Sequence, residues 1–153
     1  MRKTIEYLVE EGADKGKLFF ITRMSASDAD KWALRFIKAL ADAGDTVRPD
    51  SLELGILGID DKYFDLIGHV EESESEVLLE ALLKCCQIKR DPRNPSVEPT
   101  KILSVDIEDA QTLSILRRKA YELHTDFIKA AMYQLFHLVA ALGMTETPEN
   151  GKK

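Results

Sequence analysis

The chain has 153 residues, enough for one domain with its own core. A charged fraction of 31% beside 44% hydrophobic residues counts against wholesale disorder, and a net charge of −6 counts against nucleic acid as a partner, since phosphate neutralisation needs an excess of Lys and Arg. No apolar run reaches the ~20 residues of a bilayer span, and residues 1–6 lack a signal-peptide core, so a protein that is neither exported nor membrane-spanning is expected.

Ile5, Tyr7 and Val9 alternate with polar or exposed-type positions, and Leu18 to Thr22 form a second β-prone run. The Gly12- and Gly16-containing loop between them predicts a hairpin. Two strands alone are marginal in water, so the hairpin must pack on the helices that follow.

Ser25 with Asp28 three residues on predicts a helix start, and Ala29, Trp32, Ala33, Phe36, Ile37 and Leu40 recur at helical spacing before Gly44 stops the run. Trp32 lies on that stripe and reads as core. Residues 45–70, interrupted by Pro49, Gly55, Gly58 and Gly68, predict short helical pieces and loops, one of them around Asp61–Ile67. Ser73 and Glu76 repeat the capping pattern ahead of a stripe of Val77, Leu78, Ala81, Leu82, Cys85 and Cys86. The carboxylates of residues 71–76 fit an acidic first helical turn better than a metal loop, because their spacing is not that of a calcium-binding loop. Cys85 and Cys86 are adjacent, which closes no useful loop and lacks C-x-x-C spacing; both read as reduced thiols near a buried helix face.

Asp91-Pro92 and Asn94-Pro95 exclude a helix, and Lys101 to Ser104 allow a returning strand and a second small hairpin. Asp106 and Asp109 then suit the start of a last helix that meets no Gly or Pro before Gly143. A continuous helix from Asp106 to Leu142 would be roughly 55 Å long, so it must kink or project. Its first half is amphipathic, with Leu113, Leu116, Ala120, Leu123 and Phe127 on one stripe. From Phe127 onward only Lys129, Gln134 and His137 are polar, and a helix apolar nearly all round is buried nearly all round. The second half is therefore either a core helix or a surface for another molecule, and Phe127, Ile128, Met132, Leu135, Phe136 and Val139 are its candidate partner-binding residues. Residues 1–144 read as one domain and 145–153 as a polar, frayed tail. The fold class expected is α+β, mainly α: a short N-terminal hairpin packed on a helical bundle with a long C-terminal helix.

Catalytic, metal-binding and cofactor-binding residues are all expected to be absent. His124 and His137, 13 residues apart, fall on different faces of one helix, and no nucleophile elbow, zinc or P-loop spacing occurs. His124 suits an interhelical or capping hydrogen bond better than catalysis. Arg117-Arg118-Lys119 fan around the helix and read as a solvated face with local ion pairs.

The run Met24-Ser25-Ala26-Ser27-Asp28-Ala29-Asp30-Lys31-Trp32-Ala33, followed by Val105-Asp106-Ile107-Glu108-Asp109-Ala110, Leu116-Arg117 and Leu123-His124-Thr125-Asp126-Phe127, resembles the tail assembly chaperones of long-tailed bacteriophages over most of the chain. The resemblance implies a non-enzymatic, mainly helical protein of the host cytoplasm. Such a protein binds the aggregation-prone tape-measure protein, helps recruit the major tail protein around it and is absent from the finished particle. It implies no cofactor, no nucleic acid and no membrane, and leaves self-association open. A frameshifted longer form is common in that family, and the terminal Lys152-Lys153 is compatible with an A-rich slippery site. The alternative is a tail-completion or head–tail connector protein retained in the virion.

Overall fold

A computed structural model describes residues 2–44 and 64–134. The chain is α+β and mainly α, with one four-stranded antiparallel sheet in the order β1-β2-β3-β4. β1 (Thr4–Leu8) and β2 (Leu18–Thr22) form the expected hairpin, in a register that sets Ile5 opposite Ile21 and Tyr7 opposite Phe19. β3 (Cys86–Lys89) pairs with β2, and the two-residue β4 (Thr100–Lys101) pairs with β3. The second hairpin thus extends the first into a single sheet. Asx turns close its connection, where Asp91 Oδ1 accepts from Arg93 N–H at 3.2 Å and Asn94 Oδ1 from Ser96 N–H at 2.9 Å.

Between β2 and β3 lie α1 (Ala26–Asp42), a 3₁₀ turn (Leu66–His69) and α2 (Glu72–Leu83). Ser25 caps α1 by accepting from Asp28 N–H, and all six residues of the expected stripe are buried. Gly44, at φ +92°, ends it in the left-handed conformation that glycine adopts without strain. α2 starts differently from expectation. Glu71, not Ser73, is its N-cap, because the Glu71 carboxylate reaches the Ser73 N–H and hydroxyl while Glu72 and Glu74 supply first-turn charge. The helix also ends before the cysteines. Cys85 sits in the turn, Cys86 opens β3, and Val77 is 42% exposed rather than part of the apolar stripe. Both thiols are free and buried; burial pushes Cys85 up to about 11 and Cys86 up to about 12, so neither is a thiolate at neutral pH.

The last helix does not run unbroken. Ser104–Asp106 form a 3₁₀ turn, α3 spans Ala110–Glu122 from an Asp109 cap, Leu123 and His124 turn, and α4 covers the helical residues 125–134. Asp106 thus precedes the helix instead of opening it. The helices pack one core against the sheet. Trp32 stacks on Phe36 with centroids 5.3 Å apart, Tyr121 meets both edge-on, and the Trp32 indole N–H donates to Leu78 C=O at 3.2 Å. No helix among the described residues is long and apolar enough to cross a membrane. The expected 145–153 tail lies outside the described residues.

Candidate partner-binding surface

Ile128 and Met132, two of the six positions expected at a partner surface, lie fully inside the domain's core. They continue, at four-residue spacing, the buried stripe that Leu116, Ala120 and His124 form across the turn between α3 and α4. Phe127 is half-buried at the core's margin, with the Arg23 guanidinium 4.9 Å from its ring centroid. Leu135, Phe136 and Val139 lie outside the described residues. Tyr133, 45% exposed, is the large apolar residue that α4 does present to solvent.

No Gly or Pro makes the break; an imidazole does. His124 Nδ1–H donates to Ala120 C=O at 2.7 Å, taking the carbonyl that the backbone N–H of residue 124 would bond in a continuing helix. That N–H goes to Tyr121 C=O instead, at 2.9 Å. The far ring nitrogen, Nε2, accepts from Met24 N–H at 3.0 Å, just ahead of the α1 cap. His124 is therefore the neutral Nδ1–H tautomer tying α3, α4 and the β2–α1 corner together. Burial lowers its pKa, the Ala120 carbonyl opposes that shift, and the Arg23 charge adds to it.

A second polar joint holds the first hairpin to the start of α3. Asp14, fully buried in the β1–β2 loop, accepts from Lys17 Nζ at 2.9 Å and from the backbone N–H groups of Glu108 and Asp109 at 2.9 and 3.0 Å. Burial alone would raise its pKa. The bonds from Lys17, Glu108, Thr112 and Asp109 outweigh burial and hold the carboxyl well below the usual carboxylate range. Lys17 also donates to Asp106 C=O at 2.7 Å, and the Asp106 carboxylate takes a two-pronged bond from Arg90, 2.8 Å at Nη2, plus Leu103 N–H. Asp106 and Asp109 are thus structural carboxylates. No spacing rule reveals this joint, since the Glu108 and Asp109 N–H groups that Asp14 accepts lie 94 and 95 residues away.

Of the cationic cluster, Arg118 pairs with Asp65 at 2.9 Å and lies over Phe64, while Lys119 covers the Tyr7 ring. Surface concavities flank this frame. One of about 770 Å³ runs between α1 and the start of α2, beside the Arg35–Glu74 ion pair. Another, of about 470 Å³, lies between β1 and the first turns of α3 and is walled by Glu10, Glu11 and Asp109. No family model matches the chain, and neither a curated protein nor a solved structure matches it.

Proposed function

We propose that this chain is a non-enzymatic tail assembly chaperone of a long-tailed bacteriophage, binding the tape-measure protein in the host cytoplasm and helping recruit tail-tube subunits to it. The observation that carries the reading is where the resembling residues sit. Ser25, Trp32, Asp106, Asp109, Leu116, His124 and Phe127 all belong to the joints between hairpin, α1 and the α3–α4 pair. Most of them set one element against another, so the resembling positions hold the scaffold together. The client surface on this reading includes the exposed side of α4 around Tyr133, together with the sequence candidates Leu135, Phe136 and Val139, which lie outside the described residues.

Co-expression with the tape-measure protein of the same phage tests it. The chain should keep that protein soluble, Tyr133→Asp should leave the domain folded while reducing the soluble fraction, and purified particles should lack the chain. A tape-measure protein that stays insoluble in its presence sinks the proposal. Stoichiometric amounts in finished particles would instead favour a tail-completion protein.

A further inference from the structure

β1 is an edge strand, and its parity decides what it offers. Val9 N–H bonds Lys17 C=O at 3.0 Å and Arg23 N–H bonds Lys3 C=O at 2.9 Å, so the odd residues of β1 turn their backbone groups toward β2. The N–H and C=O groups of Thr4, Glu6 and Leu8 therefore point off the sheet's outer edge, and all three residues are exposed, Leu8 by 50%. Among the described residues nothing pairs with that edge. An open row of this kind is a template for another strand.

The 470 Å³ concavity lies along the same strand on its helix side. A strand added to β1 would direct alternate side chains into it, between Tyr7 and Ile115. Its acidic wall of Glu10, Glu11 and Asp109 is offset by Lys119, at 5.2 Å from the Tyr7 ring centroid. We infer that the β1 edge docks an extended polypeptide segment of a partner protein, by strand addition, with Lys or Arg at alternate positions reaching into the Glu10–Glu11–Asp109 concavity. Long basic side chains suit it because their stems can lie on Tyr7 and Ile115 while their heads reach the carboxylates. The field there is felt by Tyr7: burial, then the charges of Glu10, Asp109 and Glu11, raise its hydroxyl pKa. A second copy is the poorer occupant. Antiparallel β1–β1 pairing centred on the strand sets Glu6 against Glu6, and each chain carries −6. The inference stands apart from the identity of the client above, and its test uses no phage protein.

The probe is a short fluorescein-labelled peptide of alternating Val and Lys with blocked ends, beside the same peptide with Glu in place of Lys. Anisotropy should report binding of the Lys peptide alone, weakened about tenfold by Glu10→Gln with Glu11→Gln, the loss of two surface ion pairs. Amide exchange should slow at Thr4, Glu6 and Leu8 when the peptide is added. Leu8→Pro deletes an outward N–H without touching the β1–β2 ladder, and should abolish binding; the three amides decide the matter if that variant does not fold. Binding without protection of those amides would reduce the site to diffuse charge attraction and overturn the inference. Absence of binding would overturn it too, as would peptide-free protection that grows with protein concentration, which would assign the edge to a second copy.

Discussion

The His124 ring bonds two elements through nitrogens of opposite character, and this makes it sensitive to acid. Nε2 accepts from Met24 N–H, so a proton placed there replaces an attraction with a repulsion between two donors. An unfolded imidazole titrates near 6.5, and the native one titrates lower because it is buried and faces Arg23. As pH falls below 6.5 the unfolded chain takes up the proton first, so stability declines until pH passes the native pKa and then levels. The slope in that window is at most about 1.4 kcal/mol per pH unit, the effect of one proton. Thermal melts between pH 7.5 and 5 should show the decline in the natural chain and a flatter profile in His124→Gln. Equal slopes in the two proteins would remove His124 as the cause. Asp14 acts in a separate window: its pKa is depressed, so its contribution is present above the unfolded carboxylate range and is lost only in stronger acid.

At the scale of elements, the β1–β2 loop docks on the first turn of α3 at close range. Gly12 and Gly16 have nearly the same positive φ, +90° and +91°, yet only Gly12 meets a neighbour there. A Cβ on Gly12 would stand 2.5 Å from Asp109 Oδ2, whereas one on Gly16 meets nothing within 4 Å. Alanine at either site carries left-handed strain of about 1–2 kcal/mol. At Gly12 it must also push aside the carboxylate that caps α3 through Gln111 N–H, adding about 1 kcal/mol. Chemical denaturation should therefore find Gly12→Ala the weaker variant by about that margin, and equal losses would mean the loop does not press on α3. The loop itself was legible in its glycines, as α1 was in Ser25, Asp28 and Gly44, because capping and turn chemistry act within a few residues. The break between α3 and α4 was not, since the imidazole that takes the Ala120 carbonyl is held on its other side by Met24 N–H, 100 residues back along the chain. Ile128 and Met132 read as a surplus apolar face yet lie inside the core, because they extend the stripe of Leu116, Ala120 and His124 that the sheet and α1 already cover.

For the whole molecule, the two hairpins were each visible locally, but not their union into one sheet. Residues 23–85 intervene between β2 and β3, and pairing over that separation leaves no periodicity in either strand. The union leaves β2 with two different dependences. Phe19 and Ile21 turn their backbone groups toward β1, by the parity that Val9–Lys17 fixes. Phe20 and Thr22 turn theirs toward β3, the Thr22 N–H bonding Cys85 C=O at 2.9 Å. β1 is an edge strand near the chain's start, while β3 is flanked on both sides and carries the buried Cys86 and Ile88. Release of β1 alone therefore exposes the amides of Phe19 and Ile21 but not those of Phe20 and Thr22. Native-state hydrogen exchange should show this alternation along five residues of one strand, with Phe20 and Thr22 exchanging only through global unfolding. Uniform protection along β2 would mean that β1 opens only with the whole domain. That result would make the Asp14 joint, which ties the β1–β2 loop to α3 through Glu108 and Asp109, as strong as the core itself.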